Sequence, residues 1–208
     1  MNRRDGDVGG TCWSCGSAVP GDGLFCAACG VVQAPGEADH FARLGLPTGF
    51  AVDAVALERA YVERQRRLHP DRFVTRAARE RRLSAEQSAA VNEAYATLKQ
   101  PLERARYLLR LAGRAVAGED GATIDDPAVL VEAMETREAL AEADSTAAVG
   151  AVAARTAAAV AGCRDDLALA FAASDLDAAA RLTTRLGYLT KLADEVRRRR
   201  VGLIGVAS

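Results

Sequence analysis

Residues 68–73 read LHPDRF, and the two helices predicted on either side of this hexapeptide decide the fold. Asp53 is the predicted N-cap of the first helix, because its carboxylate can accept hydrogen bonds from the free N–H groups of a helix start. Pro70 ends that helix, since the residue before a proline avoids the α conformation. A longer helix with apolar residues at helical spacing follows at about 76–99. The sequence therefore predicts a helical pair joined by a short loop.

The rest of the chain is also predicted to be helical. A short helix at 39–44 precedes the pair, and PLERARYLLRLAG follows it, with Gly113 as the C-cap. Asp125-Asp126-Pro127, an N-cap followed by a proline at the first helical position, opens an alanine-rich region. Its three helices, at 127–143, 146–173 and 175–199, form a bundle, and Asp175 caps the third. The predicted fold class is all-α, with domain limits at 1–36 (cysteine segment), 37–113 (helical pair with flanking helices), 114–124 (linker), 125–200 (three-helix bundle) and 201–208 (tail).

Composition and charge argue against several classes of protein. The 208 residues contain 27 Lys and Arg against 28 Asp and Glu, a formal net charge of −1, which disfavours binding to nucleic acid by bulk charge. The sequence contains no stretch of about 18 uncharged apolar residues, so no membrane span is expected. The N-terminus lacks the apolar run of a secretory signal. We therefore expect a cytoplasmic protein whose thiols stay reduced.

Four of the five cysteines form two C-x-x-C pairs: Cys12 with Cys15, and Cys26 with Cys29. Four thiolates at this spacing can close a tetrahedron around Zn²⁺, with each sulfur at about 2.3 Å from the metal. Such a site has no open position for chemistry, so we predict a structural zinc knuckle, with an iron site or disulfides as alternatives. The knuckle could present Trp13 and Phe25 to a partner. Cys163, alone on an alanine-rich helix, is predicted to be a small core residue.

His69 invites a catalytic interpretation, but its surroundings do not support one. The sequence has no nucleophile elbow, no H-E-x-x-H motif and no phosphate-binding glycine loop. Asp71 is the nearest acidic residue, across Pro70 in a turn that is expected to face solvent. Because proline restricts the backbone, the alternative is a rigid loop tip that another protein recognises. Arginines on the preceding helix then form either a solvated face or a basic patch for an acidic partner.

The helix before the loop, the His69-Pro70-Asp71 loop itself and the downstream NEAYATLKQP together resemble a J domain. In that family the loop and the basic face of the preceding helix dock on a seventy-kilodalton heat-shock chaperone and stimulate its ATPase. The resemblance implies the following chaperone-binding residues: His69, Pro70, Asp71, Arg59, Arg66 and Arg67. Arg64 stands where the family commonly has an apolar residue.

A more specific resemblance covers roughly residues 38–200. The order HPDRF, AAVNEAYATLKQPLERARYLLRL and DPAVLVEAMETREALAEA is similar to the HscB-type co-chaperones of iron–sulfur cluster assembly, some of which carry paired C-x-x-C motifs at the N-terminus. In that family the C-terminal bundle binds the scaffold protein on which the cluster is built. Carried over by position, the scaffold-binding residues would be Leu130, Val131, Met134, Glu135, Arg137, Glu138 and Tyr188.

Helical geometry offers a test of that assignment. At about 100° per residue, Val129, Ala133, Thr136 and Leu140 form one stripe, which is expected to be the bundle core. Leu130 and Met134 lie at its margin, so two interpretations stay open: a surface patch, or simply more core.

We therefore expect a co-chaperone that is not itself an enzyme. It would stimulate the ATPase of a heat-shock-class chaperone and deliver the iron–sulfur cluster scaffold to it, with no nucleic-acid or membrane partner. A general J-domain protein with another client is the alternative. Two further classes are disfavoured: a zinc-dependent hydrolase using His69, and a zinc ribbon for nucleic acid, since the knuckle loop GSAVPGDGLF has no Lys or Arg.

Overall fold

The computed structural model describes residues 10–20, 23–114 and 127–206, and within these residues the chain is mainly helical. The predicted all-α class is confirmed, with a two-stranded sheet confined to the cysteine segment. The helices are α1 (His40–Leu44), α2 (Ala54–Leu68), α3 (Ala78–Lys99), α4 (Pro101–Leu111), α5 (Pro127–Glu142), α6 (Thr146–Ala172) and α7 (Leu176–Val206); the strands are β1 (Gly10–Thr11) and β2 (Ala18–Val19), and Pro70–Phe73 is a single 3₁₀ turn.

Capping residues place the helix ends close to where the sequence predicts them. The Asp53 carboxylate accepts hydrogen bonds from the N–H groups of Val55 and Ala56, and the Asp175 carboxylate accepts one from Ala178 at 2.9 Å. Gly113 ends α4 with a φ of 68°, a left-handed conformation that glycine adopts without steric cost. The predicted cap at Asp125 or Asp126 and the predicted linker from residue 115 onward lie outside the described residues.

The first of two compact units contains the described residues up to Thr48 together with Val52–Gln100. Its core lies between α1, α2 and α3, where Phe41, Leu57 and Leu68 are buried together with the α3 stripe that includes Val91 and Leu98. The α3 stripe repeats every three or four residues, as an amphipathic helix requires. The cysteine segment and the helical pair thus fall within one unit by packing.

Arg64 stands where the J-domain resemblance implies an apolar residue, and the structure gives its guanidinium a polar partner on α1. Its Nε donates a hydrogen bond to the carbonyl oxygen of Arg43 in the last turn of α1, where helix carbonyls lack intrahelical partners. Gly45 follows with a φ of 68°, and a Cβ there would lie only 2.7 Å from the Arg64 guanidinium. Arg64 therefore ends α1 as a cap, in a space that the glycine leaves open.

The second unit contains Gly49–Ala51 and the described residues from Pro101 onward. Helices α6 and α7 form its main contact, with Val149, Cys163 and Leu167 buried on α6 and Leu186 and Leu192 buried on α7. Helices α4 and α5 also pack against α7. The three-helix bundle is confirmed, and Cys163 is a core residue, 1% exposed.

Two features of the bundle differ from expectation. Helix α7 continues to Val206, through most of the stretch that the sequence predicts as a tail, because extending an existing helix costs far less than starting one. Among the described helices, α6 alone is long and apolar enough for a membrane span by length and composition. Its apolarity comes mainly from alanine, and its larger apolar side chains, such as Val149 and Leu167, lie in the bundle core.

Candidate functional site

The four paired cysteines converge on one point. Their Sγ atoms all lie within 4.8 Å of one another, with Cys12 to Cys29 at 3.6 Å and Cys15 to Cys26 at 3.7 Å. A tetrahedron of sulfurs at 2.3 Å from zinc has edges of about 3.8 Å, so these distances fit a bound metal. The structure therefore brings together all four predicted ligands in an arrangement that can hold a metal ion.

Each C-x-x-C pair is folded in the same way. The N–H of the first cysteine donates to the carbonyl five residues on (Cys12 to Ser17, Cys26 to Val31), and the N–H of the following glycine donates back to the first cysteine's carbonyl. Gly16 has a φ of 73° and Gly30 a φ of 74°. A residue with a Cβ is strained at such angles, so glycine after each pair allows the tight turn that presents two sulfurs together.

The thiols of the cluster differ in their readiness to ionise. Burial opposes ionisation of Cys12, but the N–H groups of Cys15 and Ser14 outweigh it and lower the pKa of its thiol to about 6. The Val31 backbone favours the Cys29 thiolate, but burial and the three neighbouring sulfurs outweigh that effect and raise its pKa to about 12. Four crowded sulfurs cannot all carry negative charge by themselves, and a divalent cation removes that conflict.

A buried chain of hydrogen bonds joins this cluster to the helices. The Gln33 side-chain amide donates to Cys12 Sγ at 3.4 Å, and the Gln33 backbone carbonyl accepts from Gln87 on α3 at 3.1 Å. The Gln87 side-chain oxygen faces Arg43 Nη1 at 3.5 Å, and Arg43 Nη2 also donates to the carbonyls of Gly36 and Ala38. Gln33, Gln87 and Arg43 are each more than 90% buried. The knuckle is thus part of the same folded unit as α1 and α3.

Trp13 and Phe25 are both half-buried, and each has an arginine of α2 or α3 stacked on its ring, so the idea that the knuckle presents them to a partner stays a prediction. The Arg79 guanidinium lies over the Trp13 ring at 4.4 Å, and the Arg67 guanidinium lies over the Phe25 ring at 4.7 Å. Stacked arginine–aromatic contacts of this kind are attractive through the ring quadrupole. The rings attach the knuckle to α2 and α3.

The His-Pro-Asp loop is exposed at its tip and fixed at its base. The side chains of His69 and Asp71 are 59% and 87% exposed, and His69 Nδ1 accepts a 3.3 Å hydrogen bond from the Asp71 N–H. Below the tip, Leu68 and Phe73 are buried, and the Ser84 hydroxyl donates to the Leu68 carbonyl at 2.9 Å. The loop therefore holds its side chains in place while leaving them open to another protein.

The arginines assigned to chaperone binding are all exposed on the surface of α2: Arg59, Arg66 and Arg67. The Arg67 guanidinium also stacks on the Phe25 ring. The basic face next to the loop therefore includes an arginine whose position depends on the knuckle.

The apolar residues assigned to scaffold binding are exposed on α5. Leu130 is 41% exposed, Val131 52% and Met134 61%, while Val129, Ala133 and Thr136 are buried. The core stripe predicted from helical geometry is confirmed, apart from a half-buried Leu140, and the interpretation of Leu130 and Met134 as simple core residues is wrong. Glu135 and Glu138 are exposed, and Tyr188 on α7 is half-buried.

Two ion pairs fix α5 against α7. Arg185 donates to both Glu132 carboxylate oxygens at 3.0 Å, and Arg137 does the same to Glu195, also at 3.0 Å. The Arg137 hydrogen bond lowers the pKa of Glu195. Bidentate pairs of this kind restrict orientation as well as adding attraction. They hold the α5 surface, including Arg137 itself, in one arrangement on α7.

Comparison with known proteins places the chain in a family. The family model described as the HSCB C-terminal oligomerisation domain matches residues 125–197. The iron–sulfur cluster co-chaperone protein HscB of Homo sapiens is 34% identical over 196 residues, covering 92% of this chain and 83% of the human protein. The chain belongs to the HscB family of co-chaperones.

Other HscB proteins agree with that placement. The Arabidopsis thaliana iron–sulfur cluster co-chaperone HscB homologue is 34% identical over 191 residues, covering 91% of this chain and 74% of its own length. The crystal structure of human HscB superposes with a TM-score of 0.84 at 33% identity, covering 93% of this chain and all of the human one. The match extends over both compact units, so the HscB fold accounts for almost the whole chain.

Several residues that hold the knuckle and the loop in place cannot be predicted from the sequence, even with the HscB resemblance. Gln33, Gln87 and Arg43 support the knuckle from the interior, and Ser84 holds the base of the loop. Polar residues at core-facing helical positions, such as Ser84 and Gln87 on the α3 stripe, are the one signal in the sequence that could have revealed them.

Proposed function

We propose that this chain stimulates the ATPase of a seventy-kilodalton heat-shock chaperone and brings an iron–sulfur cluster scaffold protein to it. The observation that carries the proposal is the exposed His69-Pro70-Asp71 tip on a buried base. Such a tip can dock on a partner with little loss of conformational entropy. The human and Arabidopsis thaliana relatives, by their names, are co-chaperones of iron–sulfur clusters.

In this mechanism the chain acts as an adaptor and performs no chemistry itself. His69 and Asp71 would contact the chaperone, with Arg59, Arg66 and Arg67 steering an acidic surface toward the loop. The α5 residues would hold the scaffold while the chaperone hydrolyses ATP. The cytoplasmic location, and the absence of nucleic-acid and membrane partners, stay predictions.

The cysteine knuckle has a structural part in this proposal. Cys12, Cys15, Cys26 and Cys29 would hold Zn²⁺ with all four positions taken by thiolates, and the ion would supply folding free energy rather than catalysis. Metal analysis of the purified protein tests this point: one zinc per chain is expected, and one iron per chain with no zinc would contradict it.

The apolar patch on α5 supports the scaffold part of the proposal. Leu130, Val131 and Met134 are large apolar side chains exposed side by side, bordered by Glu135 and Glu138. Exposed apolar groups rimmed by charge are typical of protein–protein contacts. A scaffold surface with apolar and basic residues would complement this patch.

Isothermal titration with the scaffold tests the patch directly. Truncating two buried contacts of this size costs about 1–2 kcal/mol each, so Leu130→Ala/Met134→Ala should weaken binding roughly 100-fold. Leu169→Ala is the matched control, because Leu169 is 70% exposed on α6 outside the proposed patch. Equal affinity for the double variant and the control would contradict the assignment.

A second candidate role for the same patch is self-association. The family model that matches the bundle is described as an oligomerisation domain. Light scattering of the wild type and of Leu130→Ala/Met134→Ala, without scaffold, separates the two roles. A monomeric wild type favours scaffold binding, whereas a dimer that the double variant dissociates favours self-association.

A further inference from the structure

A groove of about 540 Å³ lies between the second C-x-x-C pair and the residues that follow α2. Its charged lining consists of Arg67, Arg72 and Arg76 with a single acidic residue, Glu80. Phe25 and Phe73 contribute aromatic surface to the same lining. We call it the arginine groove. All of its residues belong to the first compact unit.

The knuckle builds one wall of the arginine groove. Cys26 and Gly30 line it, and Phe25 is fixed in place by a backbone bridge to Val32, a fully buried residue. The Phe25 ring in turn carries the Arg67 guanidinium at 4.7 Å. The groove therefore exists only where the cysteine segment is folded against α2, and a helical pair without this segment would present Arg67 differently.

The opposite wall continues directly into the His-Pro-Asp loop. Arg72 and Phe73 are the last two residues of the 3₁₀ turn that begins at Pro70, and the Arg72 N–H donates to the His69 carbonyl at 3.0 Å. The Arg76 N–H donates to the Phe73 carbonyl, also at 3.0 Å, so a second backbone hydrogen bond holds the turn that leads from Phe73 to Arg76. Arg72 lines the groove and directly follows Asp71, so a partner segment that contacts the loop tip lies next to the groove.

The charge of the groove indicates the chemistry of its ligand. Three guanidinium groups against one carboxylate make the arginine side of the lining positive, while a Zn²⁺ ion held by four thiolates would place a formal charge of −2 at the Cys26 side. A guanidinium binds a carboxylate through two parallel N–H donors, a geometry that lysine cannot provide. The half-buried Phe25 ring adds apolar surface next to the Arg67 guanidinium. An extended segment with carboxylates on either side of an apolar residue matches this lining.

We propose that the arginine groove binds an acidic, extended segment of the ATPase chaperone as it docks on the His-Pro-Asp loop. This inference rests on the proposed function and adds Arg72, Arg76 and the knuckle residue Phe25 to the chaperone-binding surface. The knuckle then has a recognition role besides its structural one: it completes a site that α2 alone does not form.

A peptide titration tests the groove without the chaperone. The acidic pentapeptide EELEE and its neutral analogue QQLQQ are titrated into the full-length, zinc-loaded chain, and backbone amide shifts are followed by NMR. EELEE should shift the amides of Gly30, Arg72 and Arg76 saturably, and QQLQQ should not. Equal shifts with both peptides, or shifts elsewhere only, would overturn the proposal. So would tighter binding of a single-stranded oligonucleotide than of EELEE.

The ATPase assay then tests the groove with the chaperone of the same organism. Arg76→Gln should raise the concentration that gives half-maximal stimulation roughly tenfold, as loss of a charged interface contact does, and leave maximal stimulation unchanged. Arg181→Gln, an exposed arginine of α7, is the matched control and should match the wild type. Phe25→Ala should resemble Arg76→Gln while keeping a full complement of zinc.

Different results would contradict the groove assignment and the proposed ATPase-stimulating function. If Arg76→Gln and Phe25→Ala behave like Arg181→Gln while His69→Gln abolishes stimulation, the groove assignment is wrong and the proposed function stands. If the wild type does not stimulate the chaperone at all, the proposed function is wrong, and the peptide titration still reports on the groove.

Discussion

Gln87→Leu should destabilise the first compact unit, because Gln87 is the buried link between the knuckle and α3. Gln87 is 1% exposed; its side-chain amide donates to the Gln33 carbonyl at 3.1 Å, and its side-chain oxygen faces Arg43 Nη1 at 3.5 Å. Leucine has a similar size but neither hydrogen-bonding group. The substitution therefore removes the polar link while largely preserving the packing volume.

The expected loss in free energy of unfolding is estimated from the hydrogen-bonding groups that lose their partner in the variant. A buried carbonyl without a donor, here that of Gln33, costs about 1–3 kcal/mol. Arg43 loses a long contact but keeps two carbonyl acceptors, so we add no more than about 1 kcal/mol. The leucine side chain recovers roughly 1 kcal/mol of transfer free energy. The net loss is about 2 kcal/mol, or roughly a 30-fold smaller folding equilibrium constant.

Trp13 fluorescence measures this loss selectively, because it is the only tryptophan in the chain and belongs to the first unit. Urea unfolding at saturating zinc gives the free energies of unfolding of wild type and variant. Gln65→Leu on α2 is the matched control: Gln65 hydrogen-bonds Ser88 and Asn92 but is half-exposed, so water can replace those bonds and the cost should stay below about 1 kcal/mol. A Gln87→Leu variant no less stable than Gln65→Leu would refute the link between knuckle and helices.

Two further perturbations probe the knuckle and the bundle separately. Removing the metal with a chelator should speed amide hydrogen exchange at Val32 and Gln33, because metal binding supplies folding free energy there. Leu186 in the bundle should keep its protection. Equal protection of Val32 and Gln33 with and without metal would contradict a structural role for the ion. Acid should weaken the α5–α7 contact: the Arg137 hydrogen bond lowers the pKa of Glu195, so its contribution is present above the ordinary glutamate pKa and is lost as the pH falls through the lowered value. Because the pair is partly exposed, Arg137→Gln should remove about 0.5 kcal/mol of this pH-dependent stability. Urea unfolding followed by circular dichroism at pH 7 and pH 3 measures the difference. An unchanged pH dependence would show that the ion pair contributes nothing to stability.

Local signals in the sequence predict most of the fold. Asp53, Pro70 and Gly113 act through their own backbone or the next few residues, so their effects can be inferred without knowing the tertiary structure. The four cysteines are predictable for a similar reason, because metal geometry restricts their spacing. The α5 core stripe follows from helical periodicity, with Val129 and Ala133 facing inward as expected.

Contacts between distant segments are what the sequence does not reveal. The hydrogen bond from Gln87 to Gln33 joins residues 54 positions apart, and the Arg67–Phe25 contact depends on how the knuckle folds against α2. No periodicity or spacing rule encodes such a pair. The extension of α7 to Val206 is not predictable for another reason: six consecutive non-proline residues can join a helix or fray, and local propensity does not decide between them.

The most direct test of the adaptor mechanism is the chaperone's ATP hydrolysis rate in the presence of the scaffold, measured with wild type and with His69→Gln. His69 is exposed at the loop tip, so the substitution should leave the fold and scaffold affinity intact. The wild type should accelerate hydrolysis, and His69→Gln, at equal scaffold binding, should give no acceleration. Undiminished stimulation by His69→Gln would contradict the adaptor mechanism.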